Sequence, residues 1–345
     1  MNFKSIAYIL AACLGGLACP SVRAADLPDP SQSGPRVVIV DNPGATMAFQ
    51  PQPAIVRTMV DRGIVRLSGK TNVADAWCSF VSTKDVVGLK VMAAPGPNSG
   101  TRPAVAAAVI EGLLAAGLAP SNIVVWDRQL TDLRLSGFAD LAKHYQVRLV
   151  AAADAGWDEA VFYDNAVLGN LIWGDLEFGQ GETKSSRHSH VTKLLTHDLT
   201  KIINISPLLN HNLVGVNGNL YNLAMGSVDN TMRFETQPER MATAVPEIYA
   251  MTNLSDHVVL NITDALIAQY QGEQLSLLHY ATELNQLWFS KDPVALDVLA
   301  IQELDRQRQG AKMIPLKSNP ELYHNAALLE LGSNDPKKAR IELVK

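Results

Sequence analysis

Residues 201–234 read KIINISPLLNHNLVGVNGNLYNLAMGSVDNTMRF. The stretch opens with Ile202, Ile203 and Ile205, a short β-branched run of the kind that forms a buried strand, and then turns to Asn, Gly and a single His. We read it as a strand that feeds a polar loop. Asn204, Asn210, His211, Asn212, Asn217, Asn219 and Asn222 fall within nineteen residues, more carboxamide than turns alone require, so this loop is the leading candidate for a hydrogen-bonding site. Ser206 and Ser227 lie near His211, but no G-x-S-x-G elbow occurs, which argues against serine-hydrolase chemistry.

Outward from this stretch, apolar runs alternate with capped helical segments. Residues 37–40 form a short strand closed by Asp41, Asn42, Pro43 and Gly44, and residues 54–63 show Ile55, Val56, Met59 and Val60 at helical spacing up to Gly63. DVVGLKVM at 85–92 is a second buried strand, followed by a helix with Thr101 as N-cap, Pro103 in its first turn and Gly117 at its end. Strands follow at 122–126 and 147–151, with Thr131 capping a short helix between them. A polar excursion occupies 174–187, a strand at 258–262 ends at Thr263 and Asp264, and a helix covers 292–305. Crossovers of this kind require a parallel sheet, so the expected fold is α/β, a mainly parallel sheet flanked by helices. Residues 161–200 and 265–285 are candidates for a smaller second lobe.

The chain has 345 residues, 47% apolar and 18% charged, enough to bury a large core. Residues 1–24 carry Lys4, an apolar run from Ile6, and small or apolar residues at Val22 and Ala24, the pattern of a secretory signal peptide. The small residues before Cys13 leave a lipid anchor open as an alternative. Residues 25–35 read as a linker and 36–345 as one domain. Loss of Lys4 and Arg23 takes the formal charge from -5 to -7, which argues against nucleic acid as a partner. Cys78 then stands alone, so neither an internal disulfide nor an iron–sulfur cluster is expected.

The succession DVVGLKVM, TRPAVAAAVIEGLLAAG, IVVWDRQLTDLRLSGF, IINISPLLNHNLVGVNGNLYNLAMGSVDN, LNITDAL and SKDPVALDVLA resembles the domain of unknown function 362 family over roughly residues 36–310. The resemblance implies an α/β fold with a polar site and no established activity. The family carries a lysine two residues before the central His and another just before the Asn of a Lys-Asn pair. Here those positions are Leu209 and Tyr221, while His211 and Asn222 keep the family's types. The resemblance therefore implies a site without two of its positive charges, and it singles out Asp292 and Asp297 in SKDPVALD.

Ligands of parallel α/β sheets sit beyond the carboxyl ends of the strands. That rule gathers His211, Asp127 and Asp264 as candidate catalytic residues and Asn98, Thr101, Arg102, Asn212 and Asn222 as candidate substrate-binding residues. His188 and His190, two residues apart in an extended segment, are weak candidates for metal ligation, and a divalent metal is compatible with the site. Two functions stay open: an enzyme acting on a small polar or anionic substrate with His211 as acid–base group, or a non-catalytic exported protein binding a small molecule or metal.

Overall fold

The structure, a computed structural model, describes residues 34–165 and 188–345. The signal segment, almost all of the linker and the 174–187 excursion lie outside the described residues. Residues 34–345 cluster as one unit.

The strands are β1 (Arg36–Asp41), β2 (Thr46–Met47), β3 (Gln50–Pro51), β4 (Val87–Lys90), β5 (Ile123–Asp127), β6 (Arg148–Ala151), β7 (Trp157–Asp164), β8 (His188–Thr192), β9 (Lys201–His211), β10 (Gly215–Val216), β11 (Val258–Gln269), β12 (Ala281–Ser290) and β13 (Arg340–Val344). The main sheet runs β13-β1-β12-β11-β9-β4-β5-β6, with β10 folded back on β9. Strands β6, β5, β4, β9 and β11 are mutually parallel, and β12 is the antiparallel member inserted between β11 and β1. The chain steps from β4 to β5 to β6 in one direction and then returns to place β9 on the other side of β4. A crevice must open at that reversal, because the connections leave β4 and β9 in opposite directions.

The two faces of β9 divide the core. Ile203 and Ile205 pack with Leu89, Val125, Leu260 and Phe289 beneath helices Pro53–Ser68 and Pro103–Ala115. Ile202 belongs to the opposite layer, with Trp126, Leu220 and Leu223, covered by helices Asn219–Ser227 and Pro238–Tyr249. A strand covered on both faces usually reads as continuous apolar sequence. Asn204 and Ser206 are fully buried in it nonetheless, because each finds partners. The Asn204 amide donates to the Asn219 carbonyl oxygen (2.8 Å), and the Ser206 hydroxyl donates to Asn219 Oδ1 (3.1 Å).

The Asn-rich stretch is therefore a loop only in part, with a turn at 212–214 and a short link at 217–218. The strand continues to His211, and helix Asn219–Ser227 is buried along its whole length. Its N-terminus is closed by a remote carboxylate: Asp297 Oδ1 accepts from the Asn219 backbone N–H (2.6 Å) and Oδ2 from that of Leu220 (2.9 Å). Asp297 belongs to helix Pro293–Gly310, whose own N-cap is Asp292, accepting from the Ala295 N–H at 2.8 Å. The SKDPVALD segment thus docks the buried helix onto the sheet.

Other expectations shift in detail. Gly63 lies inside its helix, where a Cβ would overlap the Phe289 ring, and the helix ends at Gly69 in a left-handed conformation, φ 73°. Thr101 does not cap the helix that follows, since Arg102 occupies that position. Its hydroxyl donates instead to the Ile205 carbonyl oxygen (2.7 Å). Thr131 lies within its short helix, which is preceded by Gln129. Residues 265–285 form no separate lobe, because β11 runs on to Gln269 and pairs with β12 in the main sheet. Strands β7 and β8 make a separate two-stranded antiparallel sheet.

Candidate functional site

A cavity of about 640 Å³ lies at the β4–β9 reversal. Its walls include Lys90, Asp127 and Arg128 from the ends of β4 and β5, His211 and Asn212 from the end of β9, Tyr221 and Asn222 from the buried helix, and Glu235 and Glu273. The register explains the convergence: Asn204 of β9 lies beside Lys90 of β4, and Lys90 lies beside Trp126 of β5. Lys90 therefore shares a face of the sheet with Asn204, directly under helix Asn219–Ser227. Gly226 of that helix leaves the room taken by the lysine's aliphatic chain, since a Cβ there would overlap Cε.

Lys90 has an exposure of 1% and is the centre of a closed cluster. Its ammonium donates to Asp127 Oδ1 (2.8 Å), Asn222 Oδ1 (2.6 Å) and the Val91 carbonyl oxygen (2.6 Å), which uses all three of its donors. Asp127 also accepts from the backbone N–H groups of Ala93 (2.7 Å) and Arg128 (2.8 Å). Asn222 passes the network on, its amide donating to Asn204 Oδ1 at 2.9 Å. Burial pulls the lysine below its ordinary range, and the Asp127 carboxylate opposes that pull.

His211 has the reverse character. Its Nδ1 accepts the Leu213 backbone N–H (3.1 Å), which places the proton of the neutral ring on Nε2. Burial holds the imidazole below its ordinary range, against a smaller opposing effect of the Glu273 carboxylate, so the ring is neutral near pH 7. Tyr221 stacks on it at a tilt, ring centroids 4.6 Å apart. Burial first, then the carboxylates of Glu235 and Glu273, push the Tyr221 phenol far above its usual range, so it stays a donor. Glu273 itself has φ 51°, a left-handed backbone uncommon for a non-glycine residue, and its carboxylate accepts from the Asn212 N–H at 2.6 Å.

The residues singled out from the sequence thus divide. His211, Asp127, Asn212 and Asn222 line this cavity. Asp264, Arg102, Thr101 and Asn98 do not line it. Strand β11 extends five residues beyond Asp264, which is fully buried within the sheet and pairs with Arg102 (Nη1–Oδ1 3.2 Å) while accepting the Arg102 N–H (2.9 Å). The guanidinium is turned into the protein, with Nη2 donating to the carbonyl oxygens of Asn98 (3.0 Å) and Ile267 (3.2 Å), while Nε and Nη1 are buried without a hydrogen bond among the described residues. Asp264 therefore cannot orient His211, whose tautomer is set by the Leu213 backbone. Asp41 accepts from Gln286 (3.0 Å) and Asn42 from the Gly44 N–H (3.0 Å), bracing β1 and its turn.

His188 and His190 do share a face of β8, 5.8 Å between ring centroids, but each has its own carboxylate: His188 Nε2 is 3.7 Å from Asp164 and His190 Nδ1 is 3.2 Å from Asp229. Among the described residues, no group of three or more His, Cys, Asp or Glu side chains is gathered to hold a metal ion.

Sequence reasoning missed Lys90, Glu235 and Glu273. The first was legible: a lysine within DVVGLKVM, a strand read as buried, must have a partner. Nothing in the sequence marks the two glutamates. The Lys90 ammonium reaches Asn222 of the buried helix from β4.

No helix among the described residues is long and apolar enough to cross a membrane. No curated protein matches the chain. A crystal structure of a Thermotoga maritima protein, from the Northeast Structural Genomics Consortium, is similar over 76% of this chain and 60% of that chain, with TM-score 0.43 and 12% identity. This chain therefore spans less than two thirds of that protein's length. The family model described as a domain of unknown function (DUF362) matches residues 87–302, from β4 through the helix that carries Asp297, and the chain belongs to that family.

Proposed function

We propose that the protein is an exported enzyme that acts on a small polar molecule bound at the reversal between β4 and β9. The observation that carries this reading is His211, an imidazole buried to 8% exposure, with its tautomer fixed by a backbone N–H, on the wall of a cavity at the carboxyl ends of parallel strands. In that state the ring is not a base. Its role would be to donate from Nε2 to an oxygen on which negative charge develops, a contact that needs no reorganisation because the ring is already held. The Tyr221 phenol would be a second donor and the Glu273 carboxylate the acceptor of a substrate proton.

The test is to incubate the purified protein with a small-molecule cell extract and follow every component by mass spectrometry and NMR. Consumption of one compound by the wild type and not by His211→Ala is the expected outcome. Equal consumption by both would overturn the role of His211. A second reading, a non-catalytic binding protein, is favoured by one observation: the Lys90 ammonium at the cavity wall has no unspent donor for chemistry. Retention of a compound without its conversion would support that reading. The export assignment rests on residues 1–24 and is checked by N-terminal sequencing, with Ala25 expected near the start of the mature chain.

A further inference from the structure

We infer that this cavity is shaped for an organic cation, a small molecule that carries a primary ammonium group together with hydroxyl or carbonyl oxygens. The inference rests on the site proposed above and narrows its ligand. The cavity wall holds four carboxylates, Asp127, Asp132, Glu235 and Glu273, against two cations, Lys90 and Arg128. Both cations are engaged within the protein. Lys90 spends its three donors on Asp127, Asn222 and Val91, and Arg128 donates to the Thr231 hydroxyl (2.8 Å) and the Asp229 carbonyl oxygen, its nearest approach to Glu235 being 3.8 Å. With Lys90 paired to Asp127 and Arg128 lying 3.8 Å from Glu235, Asp132 and Glu273 leave the wall with an excess of negative charge, which a ligand anion would meet.

The second, independent observation is Tyr221. The residue is 8% exposed, lines the cavity, and its phenol has no hydrogen-bond partner among the described residues. A phenol on the cavity wall with no protein acceptor is free to donate to a ligand oxygen. Here the phenol stands on the wall shared with Glu235 and Glu273, whose charges both act on it. An ammonium between the two glutamates would be held by charge-assisted hydrogen bonds. The Tyr221 O–H and His211 Nε2–H would then donate to oxygens on the same molecule. The carboxylates are too dispersed to surround one metal ion. A charge spread along a wall suits a molecular cation several ångströms across, and the aromatic rings of Tyr221 and His211 add a face on which its alkyl portion can rest.

Matched probes differing in one group provide the test, with binding to the full chain measured by calorimetry and ligand-observed NMR. One triad is D-glucosamine, D-glucose and D-glucuronate, and a smaller one is ethanolamine, ethylene glycol and glycolate. In at least one triad the amine should bind about tenfold or more tightly than the neutral member, the acid should not bind, and added salt should weaken the amine alone. Glu235→Gln and Glu273→Gln, which keep the shape of each side chain, should each weaken the amine several-fold more than the neutral member. Tightest binding by an acid, or no distinction between amine and neutral compound in either triad, overturns the inference while leaving a small-molecule site in place. Absence of binding by every probe at about 10 mM, where even ligands of millimolar affinity register, overturns the inference and the proposed site together.

Discussion

Two buried ion pairs stand at the same end of the same sheet, and they differ in what lies next to them. Lys90–Asp127 borders the cavity at the β4–β9 reversal, whereas Arg102–Asp264 is walled in by β11 and the 98–102 turn. Both have exposures of a few per cent, and both consist of residue types that invite a catalytic reading. Position along a strand separates them. Asp127 is the last residue of β5, so the space beyond it is open to the crevice, while Asp264 has five further strand residues above it. What separates the two pairs is the cavity, whose wall beside Lys90 and Asp127 carries Tyr221 and His211, whereas Arg102 keeps two buried guanidinium atoms, Nε and Nη1, without a hydrogen bond among the described residues.

The largest effect that would break this contrast is expected at the walled-in pair. Asp264→Ala strands the Arg102 guanidinium in a dry interior and should cost about 3–5 kcal/mol in urea unfolding, with no change in the composition of what the cavity retains. A marginal loss would mean that water reaches Arg102 and that the two pairs are alike. Lys90→Met should cost less, about 2 kcal/mol, because Asp127 keeps two backbone N–H donors and the substituted chain still fills the space beside Gly226. A cost as large as that of Asp264→Ala would remove the distinction between the pairs.

Asp297 provides a pH test of how tightly the helix bearing Tyr221 and Asn222 is docked. Burial raises its carboxyl to about 7, against the lowering effect of the N–H groups of Leu220 and Asn219. The folded state therefore holds this proton more tightly than the unfolded chain does. Its contribution to stability is greatest below about pH 4 and is lost as pH rises to about 7, beyond which it is constant. Between pH 5 and 7 the stability advantage of the wild type over Asp297→Asn should shrink by about 2 kcal/mol. Parallel pH profiles of the two proteins would show that Asp297 does not titrate in this window.

The smallest stability effect is expected on the open wall. Tyr221→Phe removes a hydroxyl that has no protein partner and should change the unfolding free energy by less than about 0.5 kcal/mol, while weakening retention of any bound molecule. A substantial loss of stability would place Tyr221 in the closed network and narrow the site to His211. Asn222 should behave differently from Tyr221 beside it, since both ends of its carboxamide are bonded, to Lys90 and to Asn204.

Much of the fold was legible, because its signals are local. The apolar runs at 37–40, 85–92 and 122–126 and the Pro-led helices at 103 and 293 identify the α/β class and the parallel sheet. In the polar stretch 204–222 the sequence reading extends the loop over what are the end of a strand and a helix, because pattern alone treats asparagine as a turn residue. The carboxamides of this stretch are interior because Asn204 and Asn219 pair within it and Asn261 and Asp297 arrive from other segments to bond them. Likewise Asp264 read as a strand end because Thr263 and Asp264 interrupt an apolar run, which the strand in fact continues through.

By itself, the sequence determined the class of fold, the family and the two segments, 201–234 and 290–299, that matter most to the polar site, since hydrophobic period, helix capping and motif order are all properties of neighbouring residues. Only the tertiary structure decided which charges are spent and which face the cavity. Lys90 meets Asn222 across 132 positions, and Asp297 closes a helix 78 positions away. Partners so distant are set by the crossing of β9 back over β4, a choice of topology that no local pattern encodes, and it is this crossing that opens the cavity and leaves Tyr221 and His211 on its wall.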